Sequence, residues 1–334
     1  MTEAGRRTAR LPAGKQAVVI LNPVNADVAL LRSAVAIAEE QNGWQPCVWL
    51  ETTADDPGQL AARTALRHEP AVVIVAGGDG TIRAVAEEVL SSGIPLAIVP
   101  TGTGNLLARN LGLMAGLEAS VHTAFIGSNR AIDVGFAELE REDTSTTTHA
   151  FLVMTGIGLD ASMASDTNST LKRRIGWLAY TGPIGRSVLG NKRFSMHYRV
   201  DDARERSIRA HTVIVGNCGT LTAGVLLLPD AAVDDGLLDV ILLRPKGFWQ
   251  WLRVGSRLTT GGLLHRTRRG RMILQAAPRL RALEYVQAQR LAARFDSPQS
   301  IQLDGDSFGP ITAARLTLHT QALTVRVPQP ASST

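Results

Sequence analysis

The chain has 334 residues, 45% of them hydrophobic, and a formal net charge of +5. This length allows two packed domains, and the two distant cysteines, Cys47 and Cys218, provide neither a disulfide framework nor a CxxC metal pair, which fits a reducing compartment. The N-terminus has no signal-peptide core and no apolar run reaches the ~18 residues of a membrane span, so the sequence predicts a soluble, cytoplasmic protein. The positive charge favours an anionic partner, and by itself allows nucleic acid, a membrane or a phosphate ligand.

Strands and helices alternate in the first part of the chain. Apolar runs and amphipathic stretches predict strands at residues 17–21, 46–50, 73–76 and 96–99, and helices at 30–41, 57–68, 82–90, 105–111 and 116–127. This alternation is typical of a doubly wound α/β sheet.

Residues 73–83 read VIVAGGDGTIR, which predicts a buried strand, a tight turn and the start of a helix. The turn consists of Gly77, Gly78, Asp79, Gly80 and Thr81. Its glycines let the backbone approach a ligand, and free N–H groups at a helix N-terminus favour a phosphate. The Asp79 carboxylate would repel phosphate unless it holds a cation or accepts a proton, which indicates a catalytic turn. The turn lacks the lysine of a P-loop and the third glycine of a dinucleotide fingerprint, and a purely structural turn is the alternative.

A second turn of the same kind lies in residues 96–112, LAIVPTGTGNLLARNLG. Its small and polar residues include Gly102, Thr103, Gly104 and Asn105. Both turns would follow consecutive parallel strands and would therefore share one edge of the sheet, where open α/β sheets bind ligands.

From about residue 134 the hydrophobic pattern changes to a two-residue alternation. It predicts strands at 151–155, 194–200, 211–216, 238–243, 301–304, 314–319 and 323–327, with a polar hairpin tip at 140–148. This pattern favours an antiparallel second domain.

The GGDGT of residues 77–81 and the PTGTGN of residues 100–105 resemble the diacylglycerol kinase catalytic domain, which bacterial soluble lipid kinases, sphingosine kinases and ceramide kinases share. The resemblance covers roughly residues 15–328. It implies an N-terminal doubly wound α/β domain like those of NAD kinases and phosphofructokinases (15–133), a C-terminal antiparallel β-sandwich domain (134–310), and strands at 311–328 that return to the first domain. It also implies transfer of the γ-phosphoryl group of ATP to a lipid hydroxyl, such as that of diacylglycerol.

The same resemblance assigns the nucleotide site. Besides the two turns, it implies that Asn22 of an Asn-Pro turn and Thr53 border the nucleotide, with Thr52 as the alternative to Thr53. Each of these residues also has a purely structural interpretation as a turn or cap residue. Most members of the family carry Asn-Glu after GGDGT and Asp after GTGN, where this chain has Arg83, Ala84 and Leu106. Arg83 would reach phosphate oxygens instead, and reduced activity or a different acceptor stays open.

Two acidic segments could supply the chemistry. In IQLDGDSFG (301–309), Asp306 matches the position of a Glu that is the family's proposed proton acceptor. Asp304, two residues earlier, is a second catalytic candidate. The alternative is a D-G turn whose acids are only solvated. In LLLPDAAVDDGLLDV (226–240), the resemblance implies a structural Mg²⁺ bound by the Asp235 side chain and the main-chain oxygens of Ala232 and Leu237, with a plain hairpin turn as the alternative. Asp160 would shape the acceptor cleft or cap a helix.

Between Asp239 and Glu284 the chain has no acidic residue but many cationic ones, and residues 248–258 have an amphipathic pattern. A second basic and aromatic segment is LKRRIGWLAY at 171–180. Each basic residue near an anionic leaflet contributes about 1 kcal/mol, so these segments predict peripheral association with the inner membrane face. Packing against the protein itself is the alternative. Nucleic acid is not expected, because the segment matches no recognised binding motif, and a homodimer is left open.

The expected activity is therefore that of an ATP- and Mg²⁺-dependent lipid kinase. Two other functions remain: a kinase for a soluble substrate, similar to NAD kinases, and a catalytically weak nucleotide- or lipid-binding relative.

Overall fold

The computed structural model describes residues 14–158, 193–219, 228, 231–244 and 283–329. In its first part, strands alternate with helices as the sequence predicts. The elements are β1 (Gln16–Leu21), α1 (Val28–Asn42), β2 (Gln45–Glu51), α2 (Gln59–Leu66), β3 (Val72–Gly77), α3 (Asp79–Val89), β4 (Leu96–Pro100), α4 (Leu106–Asn110) and α5 (Leu117–Ile126).

These four strands are parallel and lie in the order β2-β1-β3-β4. Apolar residues of α1 and α5 cover one face of the sheet, and those of α2 and α3 cover the other. β1, β3 and β4 are continuous apolar runs because both of their faces are buried, whereas β2, at the edge of the sheet, is only partly buried. The chain leaves β1 towards one edge and β3 towards the other, so the crevice at their carboxyl ends is the topological switch point where such sheets bind ligands.

The remaining strands form two layers of a β-sandwich. They are β5 (Ser128–Glu140), β6 (Thr146–Phe151), β7 (Met154–Ile157), β8 (Phe194–Val200), β9 (Arg206–Ala210), β10 (Thr212–Gly216), β11 (Leu238–Leu243), β12 (Leu283–Ala288), β13 (Arg290–Leu303) and β14 (Asp306–Val327). One layer has the order β12-β11-β10-β7-β13 and the other has β9-β8-β13-β14-β5-β6. β13 belongs to both layers, since its residues 291–295 pair with β8 and its residues 301–303 pair with β7. Residues such as Phe151, Val240 and Leu316 fill the core between them.

Two long strands connect the sandwich to the α/β part. β14 pairs with β5 from Ala313 to Val327, and at Val325 it also pairs in parallel with Leu96 of β4. Both strands therefore run through the predicted domain boundaries at 133/134 and 310/311. The two strands predicted at 314–319 and 323–327 are parts of β14, interrupted by a register shift between His319 and Leu323.

The predicted strand at 151–155 is divided in the structure. β6 ends at Phe151 and β7 begins at Met154. Between them, the backbone N–H groups of Leu152 and Val153 donate to the Asp304 carboxylate, at 2.7 and 2.9 Å, instead of to a neighbouring strand. The break is thus caused by a residue far away in sequence.

Some predictions fall on residues outside the described ranges. These are Asp160, the segment at 171–180 and nearly all of the basic segment between Asp239 and Glu284. Within the described ranges, no helix is both long enough and apolar enough to cross a membrane.

Candidate active site

The two glycine turns touch each other at the carboxyl ends of β3 and β4. Gly77 pairs with Pro100, and the N–H of Thr101 donates to the Gly77 carbonyl at 3.1 Å. A Cβ atom placed on Gly102 would lie only 2.5 Å from the Cα of Gly78. Because no side chain fits there, the two backbones can pack directly against each other. The structure thus brings the two predicted phosphate turns together.

Helix α3 begins inside the first turn without a side chain that caps it. Gly78 is the N-cap residue and makes no side-chain capping hydrogen bond. The first N–H groups of a helix have no partner within the helix, and the helix dipole places partial positive charge there. The start of α3 therefore suits a phosphate group.

Asp79 connects the first turn to the second. Its Oδ1 accepts hydrogen bonds from the N–H groups of Leu106 at 2.7 Å and Leu107 at 3.4 Å. Burial, and then the nearby Asp304 carboxylate, raise the pKa of Asp79 from 3.8 to about 6, while the backbone N–H groups oppose this change. Asp79 thus holds the first turn to the N-terminal end of α4, and its expected role in binding a cation or accepting a proton stays a prediction.

Asn105 shapes the second turn. It has a left-handed backbone conformation with φ of 49°, its Oδ1 accepts from the Gly102 N–H at 3.0 Å, and its Nδ2 donates to the Gly102 carbonyl at 2.7 Å. Asn tolerates this conformation better than most residues and bonds its own turn. The Asn105 side chain therefore holds the turn closed.

Asp306 extends from the start of β14 to the first glycine turn. A Cβ atom on Gly80 would lie 2.7 Å from the Asp306 Oδ2. The side chain of Asp306 is 49% exposed, and its Oδ2 accepts from Arg83 Nη2 at 3.0 Å. An accessible carboxylate of the sandwich thus lies against the turn predicted to hold the nucleotide.

Asp304 has a different environment, although it is only two residues away. It is 7% exposed, and its carboxylate accepts from the N–H groups of Leu152, Val153 and Met154. Burial raises its pKa, and these three hydrogen bonds oppose the rise. Its buried carboxylate anchors the connection between β6 and β7, and the catalytic role that the sequence predicts for Asp304 stays a prediction.

The residues predicted after β1 and β2 lie at the same edge of the sheet. The Asn22 N–H donates to the Ala76 carbonyl at 2.9 Å, which places Asn22 beside the end of β3. Thr53 is exposed and its Oγ1 accepts from the Asp56 N–H at 3.1 Å, whereas Thr52 is buried. Of the two threonines, Thr53 has the side chain that solvent can reach.

The expected metal turn between β10 and β11 is held by protein groups. The Asp235 Oδ1 accepts from the Leu237 N–H at 3.0 Å, and burial raises the pKa of Asp235. Asp133, which is buried, accepts from the Gly236 N–H at 2.7 Å and from the Gln321 N–H at 2.7 Å. Within the described residues, no group of three or more His, Cys, Asp or Glu side chains could hold a metal. A magnesium at Asp235 would depend on one carboxylate and on carbonyls such as those of Ala232 and Leu237, and such a site binds weakly.

Three residues near Arg83 were not predicted from the sequence. The Arg83 guanidinium carbon lies 4.9 Å from the ring centre of Phe308, and Glu87 Oε2 lies 3.8 Å from Arg83 Nη1. The His149 ring packs against Phe308 with 4.6 Å between ring centres. The i, i+4 spacing of Arg83 and Glu87 was the sequence signal for Glu87, but nothing in the sequence placed His149 beside them.

Comparison with known proteins matches two domain families to this chain. The diacylglycerol kinase catalytic domain matches residues 16–137, and the YegS C-terminal NAD kinase beta sandwich-like domain matches residues 153–327. A protein of Stenotrophomonas maltophilia named "Probable lipid kinase YegS-like" is 34% identical over 240 residues, 67% of this chain and 72% of that protein.

Other relatives extend the similarity over more of the chain. A Bacillus subtilis protein named diacylglycerol kinase is 24% identical over 310 residues, 91% of this chain and 94% of that protein. An uncharacterised Synechocystis protein is 24% identical over 238 residues, and this chain spans 50% of that protein's length.

Solved structures show the same fold. The crystal structure of a diacylglycerol kinase from Bacillus anthracis superimposes with a TM-score of 0.67 at 19% identity, covering 95% of this chain and 98% of that one. The predicted fold class, a doubly wound α/β domain with a β-sandwich domain, is confirmed. The two domain matches and the S. maltophilia relative show that this chain belongs to the diacylglycerol kinase catalytic-domain family of lipid kinases, in the group with a YegS-type C-terminal domain.

Proposed function

We propose that this protein is an ATP-dependent lipid kinase that transfers the γ-phosphoryl group to the hydroxyl of diacylglycerol or a related long-chain alcohol. The observation that carries the proposal is the position of the half-exposed Asp306 carboxylate against Gly80 of the first glycine turn. The names of the relatives, diacylglycerol kinase and lipid kinase, support a lipid acceptor.

The phosphates of ATP would bind along the two turns, at Gly77 to Thr81 and at Gly102 to Asn105. The uncapped start of α3 and the close contact of Gly78 with Gly102 provide backbone N–H groups and a surface without side chains. Asn22 and Thr53 lie at the same sheet edge and would border the rest of the nucleotide.

Magnesium would accompany the nucleotide, and when bound it neutralises the charge on the phosphate oxygens during transfer. Asp79 is the carboxylate of the first turn and would hold this cation or assist the transfer. A second, structural magnesium would bind the Asp235 carboxylate and the carbonyls of Ala232 and Leu237. Two observations fit these roles: Asp79 lies inside the first turn, and Asp235 is an exposed residue of its turn.

Asp306 would accept the proton of the acceptor hydroxyl. An alcohol has a high pKa, so a carboxylate base acts while the proton moves in the transition state and not before it. Asp is one methylene shorter than the Glu of the family pattern, and the close approach of Asp306 to Gly80 compensates for the shorter side chain. No preformed alkoxide is needed.

The acceptor would be reached at an anionic membrane surface. The cationic residues between Asp239 and Glu284 would contact the lipid headgroups. Of these residues the structure describes only Arg244, whose Nη2 lies 3.0 Å from Glu284 Oε2. The expected location is peripheral, on the inner membrane face, and neither nucleic acid nor a permanent partner is required.

The test is incubation of the protein with γ-labelled ATP, Mg²⁺ and a total lipid extract in anionic vesicles. We expect label in a lipid product, and a loss of at least about 100-fold in the Asp306→Asn variant, which lacks the base. Asp79→Asn should also be impaired, whereas Asp234→Asn, an exposed acid outside the site, serves as the matched control.

Three outcomes would contradict this function. Label in a water-soluble product would identify a kinase for a soluble substrate. Binding of ATP and Mg²⁺ without any labelled product would identify a nucleotide-binding relative. Retention on DNA that weakens with salt, but not on anionic vesicles, would identify a nucleic-acid-binding protein.

A further inference from the structure

Arg83 lies one turn into α3, two residues after the first glycine turn, and its side chain is only 5% exposed. Within the described residues, neither its Nε nor its Nη1 atom has a hydrogen-bond partner. A buried guanidinium with incomplete hydrogen bonding destabilises a fold. This incompletely bonded guanidinium lies on α3, the helix that begins in the proposed nucleotide site.

Two groups fix the orientation of the Arg83 guanidinium. The Phe308 ring packs on it at 4.9 Å, and Glu87 lies 3.8 Å from its Nη1. Glu87 is itself fixed, because its Oε1 accepts from the Ala150 N–H at 3.0 Å. The guanidinium is therefore held between α3, β6 and β14, and its Nη2 is the nitrogen directed to Asp306.

Asp306 needs such a contact to keep one orientation. It follows the buried Asp304 and the exposed Gly305, which have φ values of 50° and 94°, in the turn between β13 and β14. An exposed carboxylate at a turn can rotate into solvent. The hydrogen bond from Arg83 Nη2 to Asp306 Oδ2, at 3.0 Å, selects the orientation in which this oxygen lies over Gly80.

We propose that Arg83 is a positioning residue for phosphoryl transfer: it sets the Asp306 carboxylate over the first glycine turn, and Glu87 holds Arg83 in turn. This inference rests on the proposed function and differs from the expectation that Arg83 contacts a phosphate. Arg83 acts through Asp306, so its contribution to the rate exists only while Asp306 has its carboxylate.

A double-mutant cycle tests this dependence with the full-length protein, γ-labelled ATP and diacylglycerol in anionic vesicles. We expect Arg83→Gln to lower kcat by about 10- to 100-fold with KM for ATP changed less than about twofold, because proton transfer and not nucleotide binding is affected. In the Asp306→Asn background, Arg83→Gln should lower kcat by less than about twofold further. Arg83→Lys, which keeps a charge but not the fork geometry, should lie between Arg83→Gln and wild type.

The matched control is Arg63→Gln. Arg63 also pairs with a glutamate of α3, since its Nη2 lies 2.7 Å from Glu88 Oε1, but its side chain is 59% exposed. Arg63→Gln should leave kcat unchanged in both backgrounds.

Glu87→Gln and Glu88→Gln form a second pair of variants, and we expect them to destabilise the fold less than Arg83→Gln does. Glu87→Gln keeps an oxygen for the Ala150 N–H and removes the charge that faces Arg83. It should lower kcat by about 3- to 10-fold, whereas Glu88→Gln should have no effect. This pair decides the question if Arg83→Gln does not fold.

Several results would overturn the positioning role. A rise in KM for ATP with kcat preserved in Arg83→Gln would make Arg83 a phosphate ligand. Losses that multiply in the double mutant, or equal kcat for Glu87→Gln and Glu88→Gln, would show that Arg83 does not act through Asp306. With an active wild type, these results leave the proposed kinase function intact. The absence of labelled lipid from wild-type protein would overturn that function, and the positioning role with it.

Discussion

Asp79 is subject to two opposing influences. Burial and the neighbouring Asp304 carboxylate raise its pKa to about 6, and the N–H groups of Leu106 and Leu107 act in the other direction. The folded protein therefore binds the Asp79 proton more tightly than the unfolded chain does. As a result, the free energy of unfolding should fall as pH rises from about 4 to about 6, by up to about 3 kcal/mol.

Asp79→Asn should remove this component of the pH dependence. The amide oxygen can still accept from the Leu106 N–H, but no charge is buried, so the variant should be roughly 1 to 3 kcal/mol more stable than wild type at pH 8. The measurement is urea unfolding between pH 4 and 8 without nucleotide or Mg²⁺. Asp55→Asn, at an exposed position, should keep the wild-type pH dependence; an unchanged profile in Asp79→Asn would contradict the raised pKa.

Gly80→Ala should separate activity from stability. The new methyl group would overlap Asp306 Oδ2, which is the end of a rotatable side chain and can move away. Alanine is also a better helix residue than glycine by about 1 kcal/mol. We therefore expect unchanged or slightly higher stability and a loss of kcat of about 10- to 100-fold.

Gly102→Ala provides the contrast to Gly80→Ala. Its methyl group would meet the backbone of Gly78, which cannot move away cheaply, so both stability and nucleotide binding should fall. If Gly80→Ala retains full kcat, the placement of Asp306 over the turn has no role in the reaction.

The site residues differ in how far the sequence could identify them. The glycine turns were predictable because closely spaced glycines between an apolar run and an amphipathic stretch are typical of a turn where backbone approaches a ligand. Asp304 and Asp306 could not be told apart, because their difference lies in burial and in three hydrogen bonds to residues 152–154. The surroundings of Arg83 could not be predicted either, since Phe308, which packs on it, and His149, which packs on Phe308, come close only through the tertiary fold.

At the scale of elements, Asp133 joins the turn before β11 to the register shift of β14. Asp133→Ala would leave the N–H groups of Gly236 and Gln321 without the buried carboxylate that accepts from them. We expect a loss of about 2 to 4 kcal/mol in the free energy of unfolding, measured with denaturant.

Asp234→Ala is the control for this element. Asp234 lies in the same turn and forms an exposed ion pair with Arg130 of β5, at 2.7 Å, so its loss should change stability by less than about 1 kcal/mol. Similar losses in both variants would mean that the turn tolerates the missing Asp133 contacts.

The proposed structural magnesium makes a prediction for the same turn. In the absence of nucleotide, about 10 mM Mg²⁺ should raise the melting temperature of wild-type protein by a few degrees if it binds with millimolar affinity. Asp235→Asn should abolish this increase while leaving the melting temperature without Mg²⁺ nearly unchanged. An equal increase in both proteins would place the magnesium elsewhere.

The elements of the α/β part were predictable within two or three residues, because parallel strands buried on both faces are continuous Val and Ile runs. The sandwich strands were predicted less well. β5, β9 and β12 were not predicted, and most of β6 was predicted as a hairpin tip. The predicted strand at 151–155 joined the last residue of β6 to the start of β7, and β14 was divided into two. Both differences involve a contact with a residue that is distant in sequence. Asp304 accepts from Leu152 between β6 and β7, and Asp133 accepts from Gln321 at the register shift of β14.

At the scale of the whole molecule, one hydrophobic cluster extends from α3 and α4 into β10 and β11 of the sandwich, and β5 and β14 pair through both parts. The α/β part and the sandwich should therefore unfold in one cooperative transition. Calorimetry should give a ratio of calorimetric to van't Hoff enthalpy near 1, and far-UV circular dichroism should follow the same curve. Two resolved transitions would show that the shared strands do not couple the two parts.

β14 begins at Asp306, beside the first glycine turn, and towards its other end it pairs with β4, the strand that leads into the second turn. A hinge motion that separated the α/β part from the sandwich would have to break backbone pairing along β5 and β14. Because β14 carries Asp306 and pairs with β4, the backbone of Asp306 and the two glycine turns keep the same relative position when no substrate is bound. For the proposed lipid kinase, the rate of turnover would then be limited by transfer of the lipid alcohol from the bilayer to the site and not by a movement of the two parts.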